Sequence, residues 1–111
     1  MDAATILKAL TALTAAVYIG FTALAYKTLP PFIVFENIVW AALYIAALAI
    51  LHYKGLALPL VAIAAFNAGR VSDAIVTSTG ELGRLALEHT PLFTLLLVLA
   101  ILAAYVELSR G

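Results

Sequence analysis

The sequence predicts an all-α membrane protein. It reads as one domain over residues 1–111, a four-transmembrane-helix bundle with a short interfacial helix between helices 3 and 4. Three observations predict it. The chain is 66% hydrophobic and 11% charged, against about 25% charged residues in ordinary soluble domains. Its mean hydropathy is +1.14. Four apolar stretches reach the roughly 20 residues that a helix needs to cross the hydrocarbon of a bilayer, and proline, glycine or charge separates each from the next.

Composition also narrows function. The formal net charge is zero, which points away from nucleic-acid binding and from a polybasic membrane-surface role. The absence of cysteine excludes disulfides, thiolate metal sites and thiol redox chemistry. Glutamine is missing, and asparagine occurs only at Asn37 and Asn67. Depletion of such thermolabile residues fits a thermophile.

The first helix is expected over about Ala4–Tyr26. Lys8 before an apolar run, with Ala23-Leu24-Ala25 beyond it, has the outline of a secretory leader. The segment is long enough to span, and it is read as a span. Lys8, Thr11, Thr14 or Ala15, Tyr18, Thr22 and Tyr26 recur at three- and four-residue intervals, one stripe of a helix. Thr11, Tyr18 and Thr22 are candidates for lining a pathway; the same stripe also suits packing against neighbouring helices. Gly20 would permit a close helix contact.

Pro30 and Pro31 end that helix and start the next, since proline is tolerated only in a first turn. The second helix is expected over about Pro31–Tyr53, antiparallel to the first. Glu36 and Asn37 lie near its start; Trp40 and Tyr44 follow at four-residue spacing as further lining candidates. His52, Tyr53 and Lys54 have the aromatic and basic character of an interface.

The third helix is expected from near Gly55 to Thr79 or Gly80, with Pro59 in its first turn. It carries the stretch around which the chain is organised, Asn67-Ala68-Gly69-Arg70-Val71-Ser72-Asp73. A charge at mid-membrane costs about 2.5–3.5 kcal/mol on insertion scales, so such residues face a partner, a cavity or a bundle interior. Asn67, Arg70, Asp73 and Thr77 step by three and four along one broad face. Arg70 and Asp73 are within i, i+3 reach of each other. Gly69 would allow a kink or a close approach.

Residues 80–90 are too polar and short to span. Glu81, Arg84 and Glu88 face one way, and Leu82, Leu85 and Ala86 the other, as in a helix lying in the interface. Pro91 opens the fourth helix, Leu92–Tyr105, whose uniformly apolar surface suits lipid or a subunit contact. Four spans put both termini on one side. Lys8, Lys54 and Arg110 would accompany them, against Lys27 and Arg84 opposite, so the positive-inside rule favours cytoplasmic termini of a multi-pass protein in the cell membrane.

At about 1.5 Å of rise per residue, Glu36, Asn37, Asn67, Arg70 and Asp73 fall at similar depths and are expected to converge as a cation, proton or substrate site. With Glu36, Arg70 and Asp73 all ionised the pocket holds one excess negative charge, and an uncompensated charge in low dielectric is costly. A proton or cation would remove the excess. Asp73 is assigned as the partner of Arg70, Glu36 as the exchanging group. Lys8 and Glu107 would pair near the inner surface.

No metal site or cofactor is assigned. HExxH, GxSxG, Walker and CxxC motifs are missing, so an enzyme is the least supported class. In size and topology the chain resembles the small multidrug-resistance transporters. Those carry an essential glutamate in the first helix, and this first helix has none, so no residue is carried across. The leading expectation is a transporter or channel in the lipid bilayer, working as a homo-oligomer. The alternative is a non-catalytic subunit or assembly factor of a larger membrane complex, with a partner membrane subunit.

Overall fold

The computed structural model describes residues 2–28, 31–77 and 90–109, with side chains omitted for 73–77. Every element is helical: α1 (Ala3–Ala25), α2 (Pro31–Lys54), α3 (Leu58–Thr77) and α4 (Thr90–Ser109). The expected interfacial helix, with Glu81, Arg84 and Glu88, lies outside the described residues. By length and composition α1, α2 and α4 each suffice to cross a membrane; α3 is less apolar, with its apolar segment confined to Leu58–Ser72.

Local chemistry sets the helix ends. Asp2, in extended conformation, caps α1 by accepting from the Thr5 backbone N–H at 2.8 Å, which satisfies one orphan donor of the first turn. At the other end of α1 the Thr28 N–H and hydroxyl both donate to the Ala25 carbonyl, each at 3.0 Å. Pro31 opens α2, where its missing N–H costs nothing. Gly55, expected as the start of the third helix, instead closes the second. Its φ is +72° and its N–H donates to the Leu51 carbonyl at 3.0 Å, the left-handed stop that glycine adopts without a Cβ penalty. α3 therefore starts at Leu58, and the Glu107 carboxylate of α4 accepts from the Ala57 N–H at 3.2 Å.

The helices form a ring. α1 packs most closely on α2, and α3 on α4; α1 also meets α4, and α2 meets α3 least of the adjacent pairs. The Glu107–Ala57 bond places the start of α3 beside the end of α4, so neighbours run antiparallel. Twenty-three residues of α1 make about 35 Å of helix, longer than the roughly 30 Å hydrocarbon core.

The core is largely apolar with a few polar residues in it, and the exterior is apolar as well. Leu7, Tyr44, Leu60, Leu96 and Leu99 share the core with the buried polar residues Thr11, Thr14, Thr22 and Asn67. Leu24, Phe32, Phe35, Phe66, Ile101 and Leu108 point outward. Monomeric soluble proteins rarely expose so continuous an apolar surface. A bundle solvated by lipid gains nothing by hiding leucine, and it associates through packing and interhelical hydrogen bonds.

Two glycine expectations are not met. A Cβ on Gly20 or Gly69 would meet nothing within 4 Å, so neither glycine marks a close helix contact. α3 also runs unbroken through Gly69. Lys8 and Glu107 do not form an ion pair: Lys8 lies in a furrow against α2, while Glu107 is drawn to the N-terminus of α3.

Candidate functional site

The polar stripe of α1 is its buried face. Thr11 and Thr14 donate their hydroxyls to the Leu7 and Leu10 carbonyls one turn back, at 2.7 and 2.8 Å, an internal solution for a hydroxyl with no water to meet. Thr22 Oγ1 is buried without a hydrogen-bond partner among the described residues. Lys8 and Tyr26, at the ends of the stripe, are more open.

Tyr18 begins a network that crosses the bundle. Its hydroxyl donates to Asn67 Oδ1 at 2.9 Å, and the Tyr44 hydroxyl donates to the same oxygen at 2.8 Å. One amide, 1% exposed, thus ties α1, α2 and α3 together. Among the described residues the backbones of α1 and α3 do not touch, so a tyrosine is needed to span that diagonal. The two phenol rings stack, with centroids 6.3 Å apart and planes 15° from parallel. Trp40 continues the array, 6.5 Å from Tyr44 and 5.8 Å from Phe66.

The charged part lies on the outer side of this array. Arg70 reaches Glu36 with both forks of its guanidinium: Nε and Nη2 each lie 3.2 Å from Oε1, and Nη2 lies 3.0 Å from Oε2. Such paired contacts are among the stronger ionic hydrogen bonds. Trp40 Nε1 adds a third donor to Oε1 at 3.2 Å, available because Glu36 and Trp40 stand one turn apart on α2. The pair is not sealed in: the side chains are 50% exposed for Arg70 and 27% for Glu36.

Exposure follows from the loose meeting of α2 and α3. Between them runs an open groove of about 490 Å³, with Glu36 and Arg70 at its charged end and Val39, Leu43, Ile63 and Phe66 in its walls. The groove opens sideways, so its contents face whatever surrounds the bundle.

The five residues expected to converge are placed unequally. Glu36 and Arg70 meet directly, and Asn67 stands one turn before Arg70 in the core. Asn37 is half-buried on α2 and does not line the groove. The side chains of Asp73 and Thr77 are outside the described residues. Glu36, expected as the exchanging group with Asp73 as the partner of Arg70, is itself an ion-pair partner of Arg70. Of the expected lining set, Tyr18, Tyr44, Thr11 and Thr22 are core residues, and among the described side chains only Trp40 lines the groove. Sequence reasoning missed Val39, Leu43, Ile63 and Phe66, because an apolar residue on a lipid face and one in a groove carry the same signal. Comparison of the chain with protein-family models, with curated proteins and with solved structures finds no match.

Proposed function

We propose that this small multi-pass membrane protein is a transporter or channel working as a homo-oligomer, with Glu36 and Arg70 as its proton- or cation-linked site. The observation that carries the reading is the partly exposed ion pair at the head of an apolar groove between α2 and α3. An accessible pair can exchange: a proton on Glu36, or a cation beside its carboxylate, releases the guanidinium. Asp73 follows Arg70 in the sequence at the i, i+3 spacing at which charges on a helix pair, and the proposal assigns it as the carboxylate that then receives the guanidinium. Intramembrane ionisable groups of this kind commonly mark proton and ion routes.

The protomer axis is filled by Leu7, Thr11, Tyr44, Asn67, Leu96 and Leu99, all fully buried. A route along that axis is therefore closed among the described residues, and the reading places the route at the groove, between protomers. Cytoplasmic termini in the cell membrane belong to the same proposal, on the lysine and arginine balance. A second reading, a non-catalytic subunit of a membrane complex, is favoured by the sideways opening of the groove, which suits a partner helix.

Flux in proteoliposomes tests the first reading. The purified protein, reconstituted with a pH-sensitive dye inside, is expected to pass protons or a monovalent cation down an imposed gradient, and Glu36→Gln is expected to abolish the flux. An intact oligomer with no flux of either kind overturns transport. A monomer that aggregates in mild detergent favours the subunit reading.

A further inference from the structure

A second groove, of about 550 Å³, lies between α1 and α2 at the opposite end of the bundle from Glu36. His52 is sixteen residues along α2 from Glu36, about 24 Å at helical rise. Ile45, Leu48 and Ala49 form its wall, and Lys8, His52 and Tyr53 its mouth. The His52 and Tyr53 rings meet edge to face, centroids 4.9 Å apart and planes 76° from parallel. From Tyr53 to Ile45 the wall runs for about 12 Å of helix, close to the roughly 15 Å hydrocarbon depth of one leaflet.

The charge at this end is one-sided where it matters. No carboxylate lines the groove among the described residues. Of the two described acids nearby, Asp2 accepts from the Thr5 N–H and is also within electrostatic reach of Lys8, and Glu107 accepts from the Ala57 N–H on the α3–α4 side. Lys8 and His52 thus present donors over an apolar furrow whose lining holds no carboxylate among the described residues.

We propose that this groove binds an anionic glycerophospholipid. The phosphate sits between the Lys8 ammonium and the His52 imidazole, Tyr53 lies at headgroup level, and one acyl chain runs along Ile45, Leu48 and Ala49. Tyrosine favours that level of the bilayer, and basic pockets between membrane helices recognise anionic headgroups on the cytoplasmic side. The site does not depend on the transport reading, since it shares no residue with the Glu36–Arg70 groove.

Native mass spectrometry of the detergent-purified protein, titrated in parallel with phosphatidylglycerol and phosphatidylcholine, tests the proposal. The wild type is expected to retain one phosphatidylglycerol in roughly fivefold preference, as one basic residue near the surface supplies. Lys8→Gln with His52→Gln is expected to erase the preference, and Lys8→Arg to keep it. Ile45→Trp fills the furrow while leaving the charges and is expected to weaken retention of the lipid; Ala49→Leu serves the same end if that variant does not fold. Thermal melting without added lipid confirms the fold of each. Equal retention of the two lipids, or preference surviving in the Lys8, His52 double variant, overturns the proposal. Displacement of the lipid by inorganic phosphate would also overturn it, assigning the site to a free anion.

Discussion

Replacing Asn67 with leucine probes the network that joins three helices. The substitution keeps the branched shape of the side chain, with leucine the larger residue and the better helix former, and removes the one oxygen that accepts from Tyr18 and Tyr44. Interhelical hydrogen bonds in membranes average about 0.6 kcal/mol, so losing two costs at least about 1.2 kcal/mol. The two hydroxyls are then left in the core without an acceptor, and an orphaned buried donor costs about 1–3 kcal/mol in a protein interior. The lipid-embedded unfolded state offers them few partners either, which pulls the figure down; about 2 kcal/mol is expected. Removing the hydroxyls as well, in Asn67→Leu with Tyr18→Phe and Tyr44→Phe, should recover most of the loss, because replacing all partners with apolar groups of similar shape is close to neutral. The assay is reversible unfolding in mixed micelles, by near-ultraviolet circular dichroism, for the wild type, each single variant and the triple variant. Tyr18→Phe alone should cost under about 1 kcal/mol, since Tyr44 still serves the amide. If Asn67→Leu unfolds no more easily than the wild type, or the triple variant is no more stable than the single, the reasoning from shared acceptance is wrong.

Other consequences are equally direct. Glu36→Gln, which the sequence alone suggests would preserve or raise stability, should instead lower it, because Glu36 neutralises Arg70; a double-mutant cycle with Arg70→Leu should return a coupling of about 1 kcal/mol, the upper end for exposed pairs. Gly55→Ala should destabilise by about 1 kcal/mol or more through its positive φ, while Gly69→Ala, in helix with open space around it, should be neutral or stabilising by about 0.5–1 kcal/mol; thermal melts separate the two. The Asp2 carboxyl, held below the usual carboxylate range by its hydrogen bonds from Thr5, should stabilise the start of α1 above the ordinary carboxylate pKa and lose that effect as pH falls through its lowered value. An NMR titration of the Asp2 carboxyl and the Thr5 amide checks this, and Asp2→Asn should remove the pH dependence.

Much of the architecture was legible in the residues because it rests on local rules. Span length, the prolines at the helix starts and the three- and four-residue spacing of Thr11, Thr14, Tyr18 and Thr22 each act within one helix, and the helices and the buried face of α1 follow from them. Gly55 shows the limit of that locality. Glycine is compatible with either side of a helix boundary, and only the observed φ and its bond to Leu51 make it an end. Pairing across helices was legible only as depth: similar positions along α2 and α3 put Glu36 and Arg70 in one site, but not as each other's partners. From the sequence, Arg70 has a visible neighbour in Asp73, three residues on. Glu36 is thirty-four residues away, and only the meeting of α2 with α3 brings it to the guanidinium. The same holds for Asn67: its burial follows from an apolar segment, but the two tyrosines that converge on one oxygen come from two other helices. Hydropathy acts along a chain, whereas the partner of a polar group in lipid depends on which helices are adjacent and how they are rotated. That arrangement arises only when all four faces are packed at once.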